Sequence, residues 1–215
     1  TRTTASSIEA YIDSPLAYFA PSISGLPSAI SVAENQTAVA TVSATDPDGD
    51  PITYSLTGTD AADFTISSAG VITFNTAPDF ETKSAYSITV NVSDGTNASS
   101  QSVAITVTNA NDAPVIAGLG LSVSVAENQT AVTTVSATDA DGDAVTYSLT
   151  GSDAADFTIS SAGVITFNTA PDFEIKSSYA VTVNVGDGTS TTSQSLTISV
   201  TNANESPTAV ALSAT

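Results

Sequence analysis

The sequence predicts an all-β chain folded as two antiparallel β-sandwiches in series, and three observations carry that prediction. The first is a repeat. From Ala20 onward the chain reappears at an offset of 93 residues, so that Glu34 returns as Glu127, Asp46 as Asp139 and Asp79 as Asp172. Ser31 to Glu81 differs from Ser124 to Glu174 only at Ala40, Pro47, Pro51, Ile52 and Thr59. A unit of this length exceeds one solenoid repeat and suits a small autonomous domain. The second is a period of two in the apolar residues, the spacing that buries one face of a strand. The third is that no helical period runs through either copy.

Taken in order, the first copy alternates at Ile30/Val32, Ile52/Tyr54/Leu56, Phe64/Ile66 and Ile72/Phe74. Two longer strands follow, with Tyr86, Ile88, Val90 and Val92 on one face of the first and Val103, Ile105 and Val107 on one face of the second. The second copy repeats these as Val145/Tyr147/Leu149, Phe157/Ile159, Ile165/Phe167, Tyr179/Val181/Val183/Val185 and Leu196/Ile198/Val200. Turn-prone Asp-Gly, Thr-Gly and Ala-Gly stretches separate them, and Ala61-Ala62-Asp63 is expected to make one helical turn. About seven strands per copy at this domain size indicate an immunoglobulin-like Greek key sandwich. Tyr54, Phe64, Phe74 and Tyr86 fall in the inward register.

The frame sets the expected domains at 20–112 and 113–205. Residues 1–19 form an N-terminal extension, read as a docking segment or the tail of a preceding element. Residues 206–215 resemble the start of a further repeat or a free strand. With no initiator Met and no signal-peptide pattern, the chain is expected to be excised from something larger. Ser6-Ser7-Ile8-Glu9 fits a helix capping box, and Pro15 limits that helix to about two turns.

Three basic residues against 22 acids leave a formal charge of −19, which repels nucleic-acid phosphates and anionic membrane surfaces. No apolar run approaches the roughly 18 residues needed to cross a bilayer. The chain has neither His nor Cys, so it contains no conventional Ser-His-Asp or Cys-His nucleophile system, and no disulfide staples the domains. The reading is therefore non-enzymatic, with no nucleic-acid partner and no membrane insertion.

The acids are unevenly placed. Domain one holds Glu34, Asp46, Asp48, Asp50, Asp60, Asp63, Asp79, Glu81, Asp94 and Asp112. All but Asp60 and Asp63 sit at strand ends or turns in short clusters with almost no Lys or Arg in their sequence neighbourhood. Gathered like charges repel unless a cation neutralises them, and a hard divalent ion taking six to eight oxygens does so. Calcium is the natural candidate. An EF-hand loop is excluded by spacing: its glycine and glutamate places hold Pro51 and Thr57 counted from Asp46, and Ala144 and Thr150 counted from Asp139. Asp60 lies outside the clusters, and its replacement is expected to do little.

The ordered set of motifs resembles the cadherin repeat in the tandem form found in large bacterial surface adhesins and extracellular fibre proteins. Ala33-Glu34-Asn35 resembles the family's glutamate motif, Asp46-Pro47-Asp48-Gly49-Asp50 its Asp-x-Asp loop, Asp79-Phe80-Glu81 its Asp-Arg-Glu motif, and Asp94-Gly95 its single aspartate. Asn109-Ala110-Asn111-Asp112-Ala113-Pro114 resembles its linker. The resemblance implies a cadherin-like fold and a calcium set drawn from both neighbours: Glu34, Asp79 and Glu81 below, Asp139, Asp141 and Asp187 above, and Asn109, Asn111 and Asp112 between. It implies about three ions, with backbone carbonyls such as those of Ala110 and Asp143 as further ligands. Asn109 replaces the usual Asp and removes one charge. The outer ends are incomplete: Asp46, Asp48 and Asp94 meet Leu16, Tyr18 and Phe19 instead of a linker, and Glu127, Asp172, Glu174, Asn202, Asn204 and Glu205 lack a following repeat. These ends are expected to hold fewer ions.

The resulting expectation is a calcium-rigidified spacer of an extracellular or cell-surface adhesin or fibre, whose partners are neighbouring repeats of the same chain or identical subunits. Two alternatives stand beside it. One is a calcium-dependent carbohydrate-binding module for surface glycans, for which Tyr11, Tyr18, Phe19, Phe80 and Phe173 are the available aromatics. The other is a filament subunit joined through its terminal segments, with Tyr11, Ile12, Leu16, Tyr18 and Phe19 docking on another subunit.

Overall fold

The computed structural model describes residues 18–206, and the chain divides into two compact units after Ala110. The expectations for residues 1–17 and 207–215 lie outside the described residues. In the first unit the strands are β1 (Ser22–Ser24), β2 (Ala29–Ala33), β3 (Ala38–Thr41), β4 (Ser43–Thr45), β5 (Thr53–Thr57), β6 (Phe64–Ile66), β7 (Val71–Phe74), β8 (Ala85–Ser93) and β9 (Ala98–Thr108). The expected helical turn forms over Ala61–Asp63 as one turn of 3-10 helix.

Nine strands form where about seven were read because two of the runs are broken. Residues 25–28 separate β1 from β2. Val42 interrupts the next run, its N–H bonding the Gly70 carbonyl at 2.8 Å while its side chain is buried. Gly70 has φ +77°, and a Cβ there would meet the Val42 carbonyl at 2.4 Å, so this crossing admits only glycine.

A four-stranded sheet ordered β2-β9-β8-β5 faces a three-stranded sheet ordered β3-β7-β6, and β1 pairs with β4. All pairings are antiparallel except β2 with β9, which run parallel in register from Ala29↔Ala104 to Ala33↔Thr108. The alternating residues fill the space between the sheets: Ile72, Ile88, Val90, Val92, Val103, Ile105 and Val107 are almost wholly buried. Phe64, Phe74 and Tyr86 form an aromatic cluster at one side, with Tyr86 edge-on to both rings.

The second unit repeats this plan. Its strands are β10 (Val115–Ala117), β11 (Ser122–Ala126), β12 (Ala131–Thr134), β13 (Ser136–Thr138), β14 (Thr146–Thr150), β15 (Phe157–Ile159), β16 (Val164–Phe167), β17 (Ser178–Gly186) and β18 (Thr191–Thr201). Its sheets are ordered β11-β18-β17-β14 and β12-β16-β15, with β10 on β13. The parallel pair matters for function. Because β2 and β9 end together, the residues that follow them, Glu34 and Asn109, emerge side by side. Antiparallel pairing would have sent them to opposite ends of the sandwich.

Candidate metal centres

At the lower end of the first unit Glu34 is 1% exposed, yet its carboxylate is fully engaged. Oε1 accepts the Ala110 N–H and Oε2 the Phe80 N–H, each at 2.7 Å. Asn35 makes this possible by adopting φ 61°, a left-handed conformation that Asn tolerates better than other non-glycine residues, and its N–H bonds the Pro78 carbonyl. One buried carboxylate thus ties the start of the linker to the loop carrying Asp79 and Glu81. Asn109 donates its side-chain amide to Glu81 at 3.0 Å. Asp79 bonds the N–H and hydroxyl of Thr82.

The second unit keeps the scaffold and changes one partner. Glu127, also 1% exposed, accepts N–H groups from Phe173 and Ala203, which hold its carboxyl below the usual carboxylate range. Position 175 is Ile, so Asp172 keeps the backbone N–H bond of its turn and has no hydroxyl to bond. Glu127, Asp172 and Glu174 place carboxylate oxygens within 4.8 Å of one another. Asn202 bonds Glu174, Glu205 accepts from Asn128, and Asn204 is exposed.

At the upper end of the second unit Asn111 and Asp112 precede β10, Asp139, Asp141 and Asp143 follow β13, and Asp187 follows β17. The Asp112 N–H bonds Asp141 Oδ2 at 2.8 Å, and the Asn111 amide bonds Asp187 Oδ2 at 3.0 Å. Asp187 is held below the usual carboxylate range by the Ser190 N–H, and further by the Asn111 amide and the Thr189 N–H. The carboxylates of Asp139, Asp141 and Asp143 lie within 4.8 Å of one another. Asp139 Oδ2 and Asp141 Oδ1 are buried with no hydrogen-bond partner. Buried polar atoms are normally paired, and two anionic oxygens left unpaired in one carboxylate cluster fit a hard cation. The Asp143 side chain was missed in the sequence reading, which assigned that residue a backbone role. Its signal was the third Asp of Asp-x-Asp-Gly-Asp.

At the upper end of the first unit the loop after β4 also buries an unpaired oxygen, Asp46 Oδ2. Asp48 accepts the Phe19 N–H at 2.7 Å, and Asn97 donates to the Tyr18 carbonyl. The backbone of Tyr18 and Phe19 therefore follows the course that Asn111 and Asp112 take 93 residues later, with aromatic side chains in place of an amide and a carboxylate. Asp94 binds the N–H groups of Asn97 and Thr96, which lower its pKa. Pro47 and Pro51 stand where the second loop has Ala140 and Ala144, and each confines the residue ahead of it to extended backbone.

Two expectations change. Asp60 is not idle: it accepts from Lys83 Nζ at 2.7 Å and from the Ser87 N–H at 2.7 Å, and Lys83 also reaches Asp63 at 3.2 Å. Asp153 repeats this with Lys176 and Ala180. The one lysine of each unit is thereby paired with the two acids outside the motifs. Phe80 and Phe173 pack against their cores, which removes them from the set of platform aromatics, whereas Tyr18 and Phe19 are exposed.

Replacing Asp60 should therefore register. Lys83 holds its carboxyl below the usual range, with the Ser87 N–H as the second cause. Its contribution is present above the unfolded pKa and lost as pH falls through the lower folded value. Asp60→Ala is expected to cost about 1 kcal/mol, roughly 4–8 °C in Tm for a domain of this size. The loss should shrink below about pH 4. An unchanged melting curve at pH 7 would return Asp60 to the role of a solvated acid.

The comparisons with known proteins agree with this fold. The Cadherin domain family profile matches residues 28–108 and the Bacterial Ig domain profile residues 111–201. Human protocadherin-24 EC1-2 (form II) superposes with a TM-score of 0.56 at 25% identity, covering 86% of this chain and 99% of that one. Mouse cadherin-23 EC22-24 gives 0.49 at 25% identity, covering 86% and 65%. Chitinase A of Pseudoalteromonas piscicida is 30% identical over 197 residues, 88% of this chain, which spans 23% of that protein's length. Cadherin-like and bacterial Ig domains are extracellular adhesion or structural modules, and cadherin domains generally bind calcium. No helix among the described residues is long and apolar enough to cross a membrane. The chain is a tandem of cadherin-like repeats.

Proposed function

We propose that this pair is a non-enzymatic, calcium-rigidified spacer of an extracellular adhesin or fibre. The observation that carries the reading is the trio Asp139, Asp141 and Asp143, gathered within 4.8 Å with two buried oxygens unpaired and no cation side chain beside them. The ligand set is Glu34, Asp79, Glu81, Asn109, Asn111, Asp112, Asp139, Asp141 and Asp187, to which the trio adds the Asp143 carboxylate. The linker supports it from both sides: Asn109 and Ala110 are bonded to Glu81 and Glu34, and Asn111 and Asp112 to Asp187 and Asp141. Calcium supplies positive charge and demands six to eight oxygens. These residues hold carboxylate and amide oxygens in place for it, and without it their charges repel and the linker flexes. The partners are neighbouring repeats or identical subunits at the cell surface.

Asp112→Ala tests the linker. The backbone N–H bond to Asp141 survives the change and the carboxylate does not. Each sandwich should stay folded, while small-angle scattering in calcium should show a broader distribution of distances between the two units. A scattering profile identical to that of the parent chain would remove Asp112 from the site.

A further inference from the structure

We infer that the second unit carries a side groove, bordered at one end by Asp172 of the metal cluster, that binds a neutral saccharide. Between the 3-10 turn Ala154–Asp156 and the loop joining β16 to β17 lies a cavity of about 450 Å³, lined among others by Asp156, Phe167, Pro171, Ile175, Lys176 and Tyr179. This is the size of pocket that holds a small organic ligand.

Tyr179 is the central observation. It lines this cavity, is 8% exposed, and its ring is held edge-on by Phe157 and Phe167 at 5.5 and 5.1 Å, so its hydroxyl has a fixed place. Lys176 Nζ sits 4.2 Å above the same ring and donates to Asp153 at 2.6 Å. It lies 3.7 Å from Asp156 Oδ2, too far for a hydrogen bond, so the ammonium retains N–H groups to give and the half-exposed carboxylate can still accept. Ile175, 83% exposed, adds an apolar rim.

A phenol, an ammonium donor and a carboxylate acceptor set beside an apolar wall match adjacent hydroxyls on a ring with a C–H face. The chain's charge of −19 disfavours an anion. The first unit offers an internal comparison. Its groove of about 630 Å³ has Thr82 in place of Ile175, and Lys83 closes onto Asp63 at 3.2 Å, leaving the donor and acceptor engaged with each other. The second unit is therefore the stronger site. Its key groups, Asp156, Lys176 and Tyr179, lie outside the calcium ligand set, and Asp172 is the lining residue it shares with the metal cluster, so binding that survives chelation separates the two proposals.

The test is a titration of the full chain with cellotetraose and with N,N′-diacetylchitobiose, followed by backbone amide resonances, in calcium and after chelation. Saturable shifts should be confined to the groove of the second unit, with similar affinity in both conditions. Tyr179→Phe keeps the ring packing and should weaken binding about fivefold, the effect of one lost hydrogen bond. Ile175→Thr, which installs the first unit's residue, should weaken it as well. The proposal is overturned if neither saccharide gives saturable shifts up to about 50 mM or if Tyr179→Phe binds like the parent. Shifts centred on Glu127, Glu174 and Glu205 that vanish on chelation would assign the binding to the metal cluster and overturn it too.

Discussion

Removal of calcium is expected to lower the melting temperature of the pair by more than sodium at equal ionic strength can restore. Extracellular calcium modules bind with dissociation constants of roughly 10⁻⁴ to 10⁻³ M. At about ten times that constant, one ion bound only by the folded state adds RT ln 11, about 1.4 kcal/mol. Three independent ions add about 4 kcal/mol, a large share of the 5–15 kcal/mol that holds a typical domain folded. For a domain of this size that corresponds to a loss of more than about 10 °C. Sodium acts differently. At about 0.15 M it screens exposed charges beyond roughly 8 Å, but Asp139, Asp141 and Asp143 bring carboxylate oxygens within 4.8 Å of one another, and Asp139 and Asp141 each bury an oxygen. Screening does not reach such a group, whereas coordination does. If calorimetry with and without chelator gave one melting curve at matched ionic strength, the calcium reading would fail and these acids would be turn residues that tolerate their own repulsion.

The strands with large apolar residues were legible because alternation is local. Ile88/Val90/Val92 and Val103/Ile105/Val107 announce their buried face within a few residues, and the structure buries all six. The run from Ala38 to Thr45 was not legible: it is built of Ala, Val, Thr and Ser and broken at Val42, so its period is faint, and its pairing with β7 and β1 is decided by distant residues. The same limit applies to the site. The resemblance to the cadherin repeat put Glu34 and Glu81 together, whereas spacing alone did not, since 47 residues separate them. The bond from Lys83 to Asp60 spans 23 residues, and no periodicity encodes it. Phe74 and Tyr86 were correctly placed inward, but inward does not mean sealed, and both line a groove. Nor does sequence distinguish a carboxylate that binds only metal from one that also holds the fold, which is the case at Glu34.

Glu34→Ala is expected to destabilise the first unit by about 2–4 kcal/mol even in the presence of chelator. The side chain is 1% exposed, and both of its oxygens accept backbone N–H groups, from Phe80 and from Ala110. Truncation removes both acceptors at once. Each buried N–H left without a partner costs roughly 1–3 kcal/mol, and a water entering the gap recovers part of that. The loss should propagate along a definite path. The loop carrying Asp79 and Glu81 and the start of the linker at Asn109 and Ala110 are joined through this carboxylate, so amide exchange should quicken at Phe80 and Ala110 before it quickens in β8 or β9. Glu34→Gln separates structure from charge. The amide oxygen still accepts one N–H, but the amide nitrogen donates, so it faces the other N–H and loses that bond. Gln should therefore fall between the parent and Ala without calcium and bind calcium less well than the parent. A residue serving calcium alone would behave otherwise, with Ala, Gln and the parent melting together in chelator and diverging only when calcium is added. That pattern would assign Glu34 to the metal and remove it from the fold. The buried double acceptor predicts the opposite order, a stability difference already present before any ion binds.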